Sequence, residues 1–208
     1  MLDQFITEFD RAIKTLTGHH SGRASQRDIS QVERETELTD SEKKLSSSLM
    51  RVNHTGEVCA QALYSGQLLT ARDDKIRRLF LEAVEEEITH LKMTGRRLRE
   101  LESKPSLFDP IFYTGSFALG VLAGVVGDKW SLGFVEETER QVEKHLEDHL
   151  ERLPPGDVRS KAILEQMKED EARHADHASE AGAATLPDTA KSIMSFASKL
   201  MKVVSYRL

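Results

Sequence analysis

Apolar residues recur at helical spacing along most of the chain. Phe5, Ile6, Phe9, Ala12, Ile13 and Leu16 fall on one side of a short amphipathic helix over residues 2–16. Residues 17–40, from His19 to Asp40, are polar with little period and read as a linker or mobile arm. Thr39-Asp40-Ser41-Glu42 has the pattern of a helix N-cap. Five helical segments are predicted to follow. The first, 41–72, stops at Asp73-Asp74, and the second, 75–102, ends before Lys104-Pro105. The third covers 110–126 and the fourth 131–153, ended by Pro154-Pro155-Gly156. The fifth covers 157–181 and ends near Gly182. A sixth segment, 187–206, is apolar at Ile193, Met194, Leu200, Met201 and Val204. No stretch alternates as a strand would, so the expected class is all-α. The expected organisation is an N-terminal helix and linker over 1–40, then one helical domain over 41–208.

Four of these helices carry an acid inside a mainly apolar stripe. At roughly 100° per residue, Glu87 shares its face with Phe80, Ala83, Leu91 and Leu98, with His90 on the same side. Glu171 lies among Leu164, Met167, Ala175 and Ala178, with His174 alongside. Glu139 lies among Leu132, Val135, Val142 and Leu146. The Glu57 stripe holds Met50, Ala60, Tyr64 and Leu68 but also Asn53 and Gln61. Burying one ionised carboxylate without a partner costs several kcal/mol. No Lys or Arg falls within roughly 40° of these acids on its own helix. Two divalent metals would meet four carboxylates with four positive charges, and two imidazoles would add nitrogen donors. That donor set suits iron or manganese.

The spacing agrees. Glu87–His90 and Glu171–His174 are both E-x-x-H, which puts the two side chains of each pair on one helix face. Glu57 lies 30 residues before Glu87, and Glu139 lies 32 before Glu171. The order Glu helix, E-x-x-H helix, connecting helix, Glu helix, E-x-x-H helix is the ligand scheme of a ferritin-like four-helix bundle. The candidate metal ligands are therefore Glu57, Glu87, His90, Glu139, Glu171 and His174. Glu136 sits at the edge of its stripe and Glu137 faces away. Glu85 and Glu86 have no histidine three residues on. His54, one turn before Glu57, is an extra ligand or, by preference, a hydrogen-bonding neighbour of the ligands. His145 and His149 are expected to play polar roles away from the metals, and His177 to face solvent or the ligands' surroundings. Cys59 reads as a small packing residue and Tyr64 as core.

Composition narrows the function classes. The chain has 29 Lys and Arg against 35 Asp and Glu, a net charge of −6, which gives no general case for nucleic-acid binding. One cysteine rules out an internal disulfide and any Cys-rich zinc site. Asp3, Glu8 and Asp10 make the first segment a poor signal or transit peptide. From Ile111 to Gly127 there is no charge. Seventeen residues is the lower limit for a span. The segment is either a central helix buried on all sides or one that touches lipid or walls an apolar pocket.

The segment MRVNHTGEVCAQALYSGQ, residues 50–67, resembles the first ligand helix of the demethoxyubiquinone hydroxylase family. EEEITHL around Glu87 and His90, SLGFVEETERQVEKHLEDHL around Glu139 and MKEDEARHAD around Glu171 and His174 resemble its other ligand segments. The resemblance runs over roughly residues 45–208. It implies a ferritin-like bundle with additional apolar helices and two iron ions. Glu57, Glu87 and His90 would serve one iron and Glu139, Glu171 and His174 the other, with one or more glutamates bridging. The implied reaction is O₂-dependent hydroxylation of the ring of a polyprenylated demethoxyubiquinol or demethoxyubiquinone. No glycine-rich dinucleotide motif is present, so the reductant is expected to be external. The implied surroundings are the polyprenylated quinone, a membrane surface, other proteins of ubiquinone biosynthesis and a second copy of the chain. The expected location is peripheral, on the cytoplasmic face of the cell membrane. Lys191, Lys199, Lys202 and Arg207 flank the apolar face of 187–206, as suits an anionic bilayer. Two other functions fit the same pattern: another ferritin-like metal protein, for peroxide or iron handling, and a non-catalytic lipid-binding scaffold.

Overall fold

The computed structural model describes residues 2–18 and 37–208, with side chains from residue 6 onward. Most of the expected linker, residues 19–36, lies outside the described residues. The helices are α1 (Leu2–Thr17), α2 (Asp40–Thr70), α3 (Asp74–Glu100), α4 (Asp109–Val126), α5 (Asp128–Arg152), α6 (Val158–Glu180) and α7 (Asp188–Arg207). No strand occurs among the described residues.

Helix starts are fixed by side chains that satisfy free backbone N–H groups. Thr39 and Glu42 form a reciprocal capping box at α2. Asp73 accepts the Lys75 N–H at α3, and Asp157 accepts the Ser160 N–H at α6. Asp157 also receives the buried Arg97 guanidinium at 2.7 Å, tying the α5–α6 turn to α3. α5 begins three residues earlier than the periodicity suggests. Gly127 adopts a positive φ of 133°, which turns the chain abruptly after α4. The Asp128 carboxylate then accepts the N–H groups of Arg72 and Asp73 at the α2–α3 turn.

Two antiparallel hairpins, α2–α3 and α5–α6, make the four-helix bundle, with α2 also touching α1, α4 and α7. The core is divided. One end is filled by Leu49, Met50, Leu98, Leu146, Leu164 and Met167. The other is filled by Tyr64, Leu68, Phe80, Leu132, Val135 and Ala178. On each bundle helix the candidate acid falls between these two clusters, so the polar centre is closed at both ends by apolar side chains.

The uncharged helix α4 is not central. Only Asp109, Tyr113, Gly120 and Gly124 on it are buried. Its small residues face inward: a Cβ at Gly120 would overlap the Leu63 carbonyl, and one at Gly66 would overlap the Phe117 carbonyl. Backbone therefore packs on backbone, and while Tyr113 lies inside, Ile111, Leu119, Leu122, Val125 and Val126 point outward.

Candidate metal centre

All six candidate ligands are buried, and they converge. Glu57, Glu87, His90 and Glu171 present ligand atoms all within 4.8 Å of one another, and so do Glu87, Glu139, Glu171 and His174. Glu87 and Glu171 belong to both groups. The two E-x-x-H glutamates thus lie between the groups, with Glu57 and His90 on one side and Glu139 and His174 on the other.

Both histidines present Nδ1 to the acids. His90 Nδ1 lies 3.3 Å from Glu57, 3.4 Å from Glu87 and 3.2 Å from Glu171. His174 Nδ1 lies 3.0 Å from Glu171 and 3.6 Å from Glu87. The far nitrogens are held by acids on the opposite helix. His90 Nε2–H donates to Asp170 at 3.2 Å, and His174 Nε2–H donates to Glu86. Each acid immediately before one E-x-x-H thus orients the histidine of the other. Arg173 joins the two orienting acids, donating to Asp170 at 2.8 Å and to Glu86 at 3.0 Å. A carboxylate on the far nitrogen fixes tautomer and ring angle and leaves Nδ1 as the donor to a metal.

Further side chains brace the centre. Tyr64, fully inside the core, donates its hydroxyl to Glu139 at 2.6 Å. Thr94 donates to the His90 carbonyl at 2.8 Å and so accepts from His54 Nδ1, also at 2.8 Å. His54 therefore lies outside both ligand groups and supports the His90 turn, as preferred from its position. His149 Nδ1–H donates to Asn53 at 2.9 Å and stacks edge-on with His145, away from the acids. Burial pushes these two imidazoles down to about 3 and about 2, so both are neutral. His177 is exposed and Glu137 accepts from Lys191 at 3.0 Å. Cys59 is half-buried, and desolvation raises its thiol to about 12 despite a hydrogen bond with Ser116. Asp170, Glu86, Arg173 and Thr94 were not assigned from sequence. The acidic residue directly before each E-x-x-H was the available signal.

The electrostatics describe a site built for cations. Burial, then the charges of Glu171 and Glu57, push Glu87 well above the carboxylate range. Burial, then Glu171 and Glu87, do the same to Glu139. Burial would also raise Glu171, but the hydrogen bonds and charges of His174 and His90 outweigh it and hold it at about 2. Burial lowers both imidazoles, yet their carboxylate partners raise His90 strongly and His174 to about 11. Both Glu87 oxygens and Glu139 Oε2 have no hydrogen-bond partner among the described residues. Buried carboxylate oxygens without donors, beside imidazole nitrogens, are the donor set of an O-rich divalent-metal site. The residues fit two metal ions.

A narrow, partly open crevice between α2 and α5, with room for about one water molecule, reaches this centre at Tyr64 and Glu139. Its other walls include Leu63, Phe134, Val135 and Thr138.

A ferritin-like bundle that gathers four buried acids and two buried histidines is an architecture suited to binding metal. The fold is similar to that of a dodecameric thioferritin, the bacterioferritin-related protein of Bacteroides fragilis, with a TM-score of 0.53 at 19% identity over 74% of this chain and 91% of that one. The family model for ubiquinone biosynthesis protein COQ7 matches residues 44–205, and the chain belongs to that family. It is 55% identical to the 3-demethoxyubiquinol 3-hydroxylase of Chromobacterium violaceum over 100% of both chains. It is 53% identical to that of Xanthomonas campestris over 99% of this chain and 94% of the other. Identity to the Cupriavidus pinatubonensis protein of the same name is 50%, over 100% of both.

Proposed function

We propose that this enzyme hydroxylates the ring of a polyprenylated 3-demethoxyubiquinol in ubiquinone biosynthesis, using two irons and O₂. The observation that carries the reading is the pair of buried ligand groups sharing Glu87 and Glu171. Glu57 and His90 would hold one iron and Glu139 and His174 the other, with Glu87 and Glu171 within reach of both. When bound, the iron pair supplies the redox chemistry by which one atom of O₂ enters the ring and the other leaves as water, with two electrons from an external reductant. The protein's own part is positional. Asp170 and Glu86 hold the Nε2 protons of His90 and His174, keeping each Nδ1 turned to the centre. Tyr64 holds Glu139 at the inner end of the narrow α2–α5 crevice, which would have to widen to admit the ring. Leu63, Phe134 and Val135 line that approach and keep bulk water from the reacting centre.

The outer faces of α4 and α7 dock on the bilayer that carries the substrate. Leu122 is 62% and Phe196 71% exposed, and α4 has no charged residue after Asp109. α4 is packed along α2 through Gly66 and Gly120, so it meets lipid as part of the bundle surface and does not span alone. We take the attachment to be peripheral and on the cytoplasmic face; the excess of Lys and Arg on α7 supports docking on an anionic surface.

The test is Glu171→Ala, which removes a ligand common to both groups. Iron content should fall below half of the wild-type value and ring hydroxylation, followed by mass spectrometry of a demethoxyquinol, should be lost. The far-ultraviolet circular dichroism should stay helical. Full turnover by this variant would refute the assignment.

A further inference from the structure

Helix α1 lies outside the matched family region, and it is mounted with its apolar side out. Glu8 and Thr15 are buried, while Ile6 is 56%, Phe9 60% and Ile13 48% exposed, with Leu16 also outward. At 100° per residue, Glu8 and Thr15 lie about 140–180° round the helix from Ile6 and Ile13. The inner side is held by contacts that need no large apolar residues. Arg11 pairs with Glu8, and Ala12 packs against the cluster of Val58, Ala62, Leu91 and Tyr113 on α2, α3 and α4. An amphipathic helix that only completed a soluble bundle would turn its apolar row inward.

The outward row has a counterpart. Ile6, Phe9, Ile13 and Leu16 follow the spacing i, i+3, i+7, i+10, and so do the exposed Ile193, Phe196, Leu200 and Val203 of α7. Leu119, Leu122 and Val126 on α4, which α1 touches while packing mainly along α2, repeat the first three positions. We propose that α1 is a bilayer-docking helix that lays Ile6, Phe9, Ile13 and Leu16 into the lipid surface beside the outer face of α4. The choice of lipid as occupant rests on the proposed lipid substrate, on contact with the uncharged α4, and on the basic α7 in a protein of net charge −6.

The test uses the full chain and vesicles of phosphatidylethanolamine and phosphatidylglycerol. Phe9→Gln with Ile13→Gln keeps helix-forming residues but removes two apolar side chains. The fraction of protein that floats with vesicles should fall at least tenfold. Iron content, helical circular dichroism and turnover of a short-tailed, water-soluble quinol should be unchanged. Phe9→Leu with Ile13→Leu should float as wild type does. Unchanged flotation of the glutamine variant overturns the proposal. So does light scattering in which wild type self-associates and the glutamine variant does not, with flotation unaltered; the row is then a contact between copies. Failure of the hydroxylase reading has a different signature, because wild type would then turn over neither quinol whatever its flotation.

Discussion

Asp170 and Glu86 show how the centre is controlled by side chains that hold no metal. Each accepts the far nitrogen of a histidine on a neighbouring helix. Asp170→Asn keeps the shape but removes the charge that fixes His90. Loss of such a partner typically costs ~10–100-fold in metal affinity or activity. The expected result is a drop of that size in ferrous affinity by anaerobic titration, with the helical spectrum intact. Asp109 gives a second residue-level prediction. It is buried, accepts from Thr55 at 2.7 Å, and desolvation pushes its carboxyl up to about 6. The folded protein thus holds that proton more tightly than the unfolded chain does. Asp109 accordingly lowers stability as pH rises from the unfolded carboxyl value through about 6. Asp109→Asn keeps an acceptor for Thr55 without the charge. Relative to wild type it should gain on the order of 1–3 kcal/mol between pH 4.5 and 7 in urea unfolding. A constant difference across that range would contradict it. The six buried acids and histidines were legible in sequence because an ionisable group inside an apolar stripe demands a partner. Asp170 and Glu86 were not, because each lies about 100° off its stripe. Their role depends on how far one helix is offset from the next, which a single helix's periodicity does not contain.

Glycines decide how close two helices come, and here they set the place of α4. Gly120 and Gly66 let the α4 and α2 backbones touch, so any side chain at Gly120 must push the helices apart. Gly120→Val should destabilise by about 2–4 kcal/mol, since the obstacle is the Leu63 carbonyl and not a movable side chain. Urea midpoints measure this, and an unchanged midpoint would mean that α4 is held some other way. Helix existence was legible throughout 37–208: periodicity located α2 to α7, and proline, glycine and acidic caps located their ends apart from the start of α5. What α4 packs against was not, because a helix buried in protein and one facing lipid have the same uncharged composition. α1 presents the same ambiguity in another form. Its pattern establishes two faces, but which face turns inward depends on the Val58, Ala62, Leu91 and Tyr113 surface that receives Ala12.

Across the whole molecule, pH and metal act on one balance of charge. Glu87 and Glu139 are raised above their unfolded values, as are His90 and His174, the last to about 11. All four bind protons more tightly in the folded protein, so the stability they lend is full at low pH and declines as pH rises through their folded values. Glu171, held at about 2, runs the other way, and its contribution is lost only as pH falls below the unfolded carboxyl range towards about 2. From about pH 5 upward the first four dominate, and metal-free protein should weaken steadily. Divalent cations reverse the trend, because they replace those protons and bind better as the ligands lose them. The difference in urea midpoint between protein with excess Mn²⁺ and protein with chelator should therefore widen from pH 5.5 to pH 8. Protons should be released on binding, measurable in weakly buffered solution. A difference that is constant or narrows with pH would mean that the cations sit elsewhere than among these carboxylates. Glu171→Ala, which takes an acid from both positions, should remove most of the widening, and this separates binding at the centre from binding to the acidic surface.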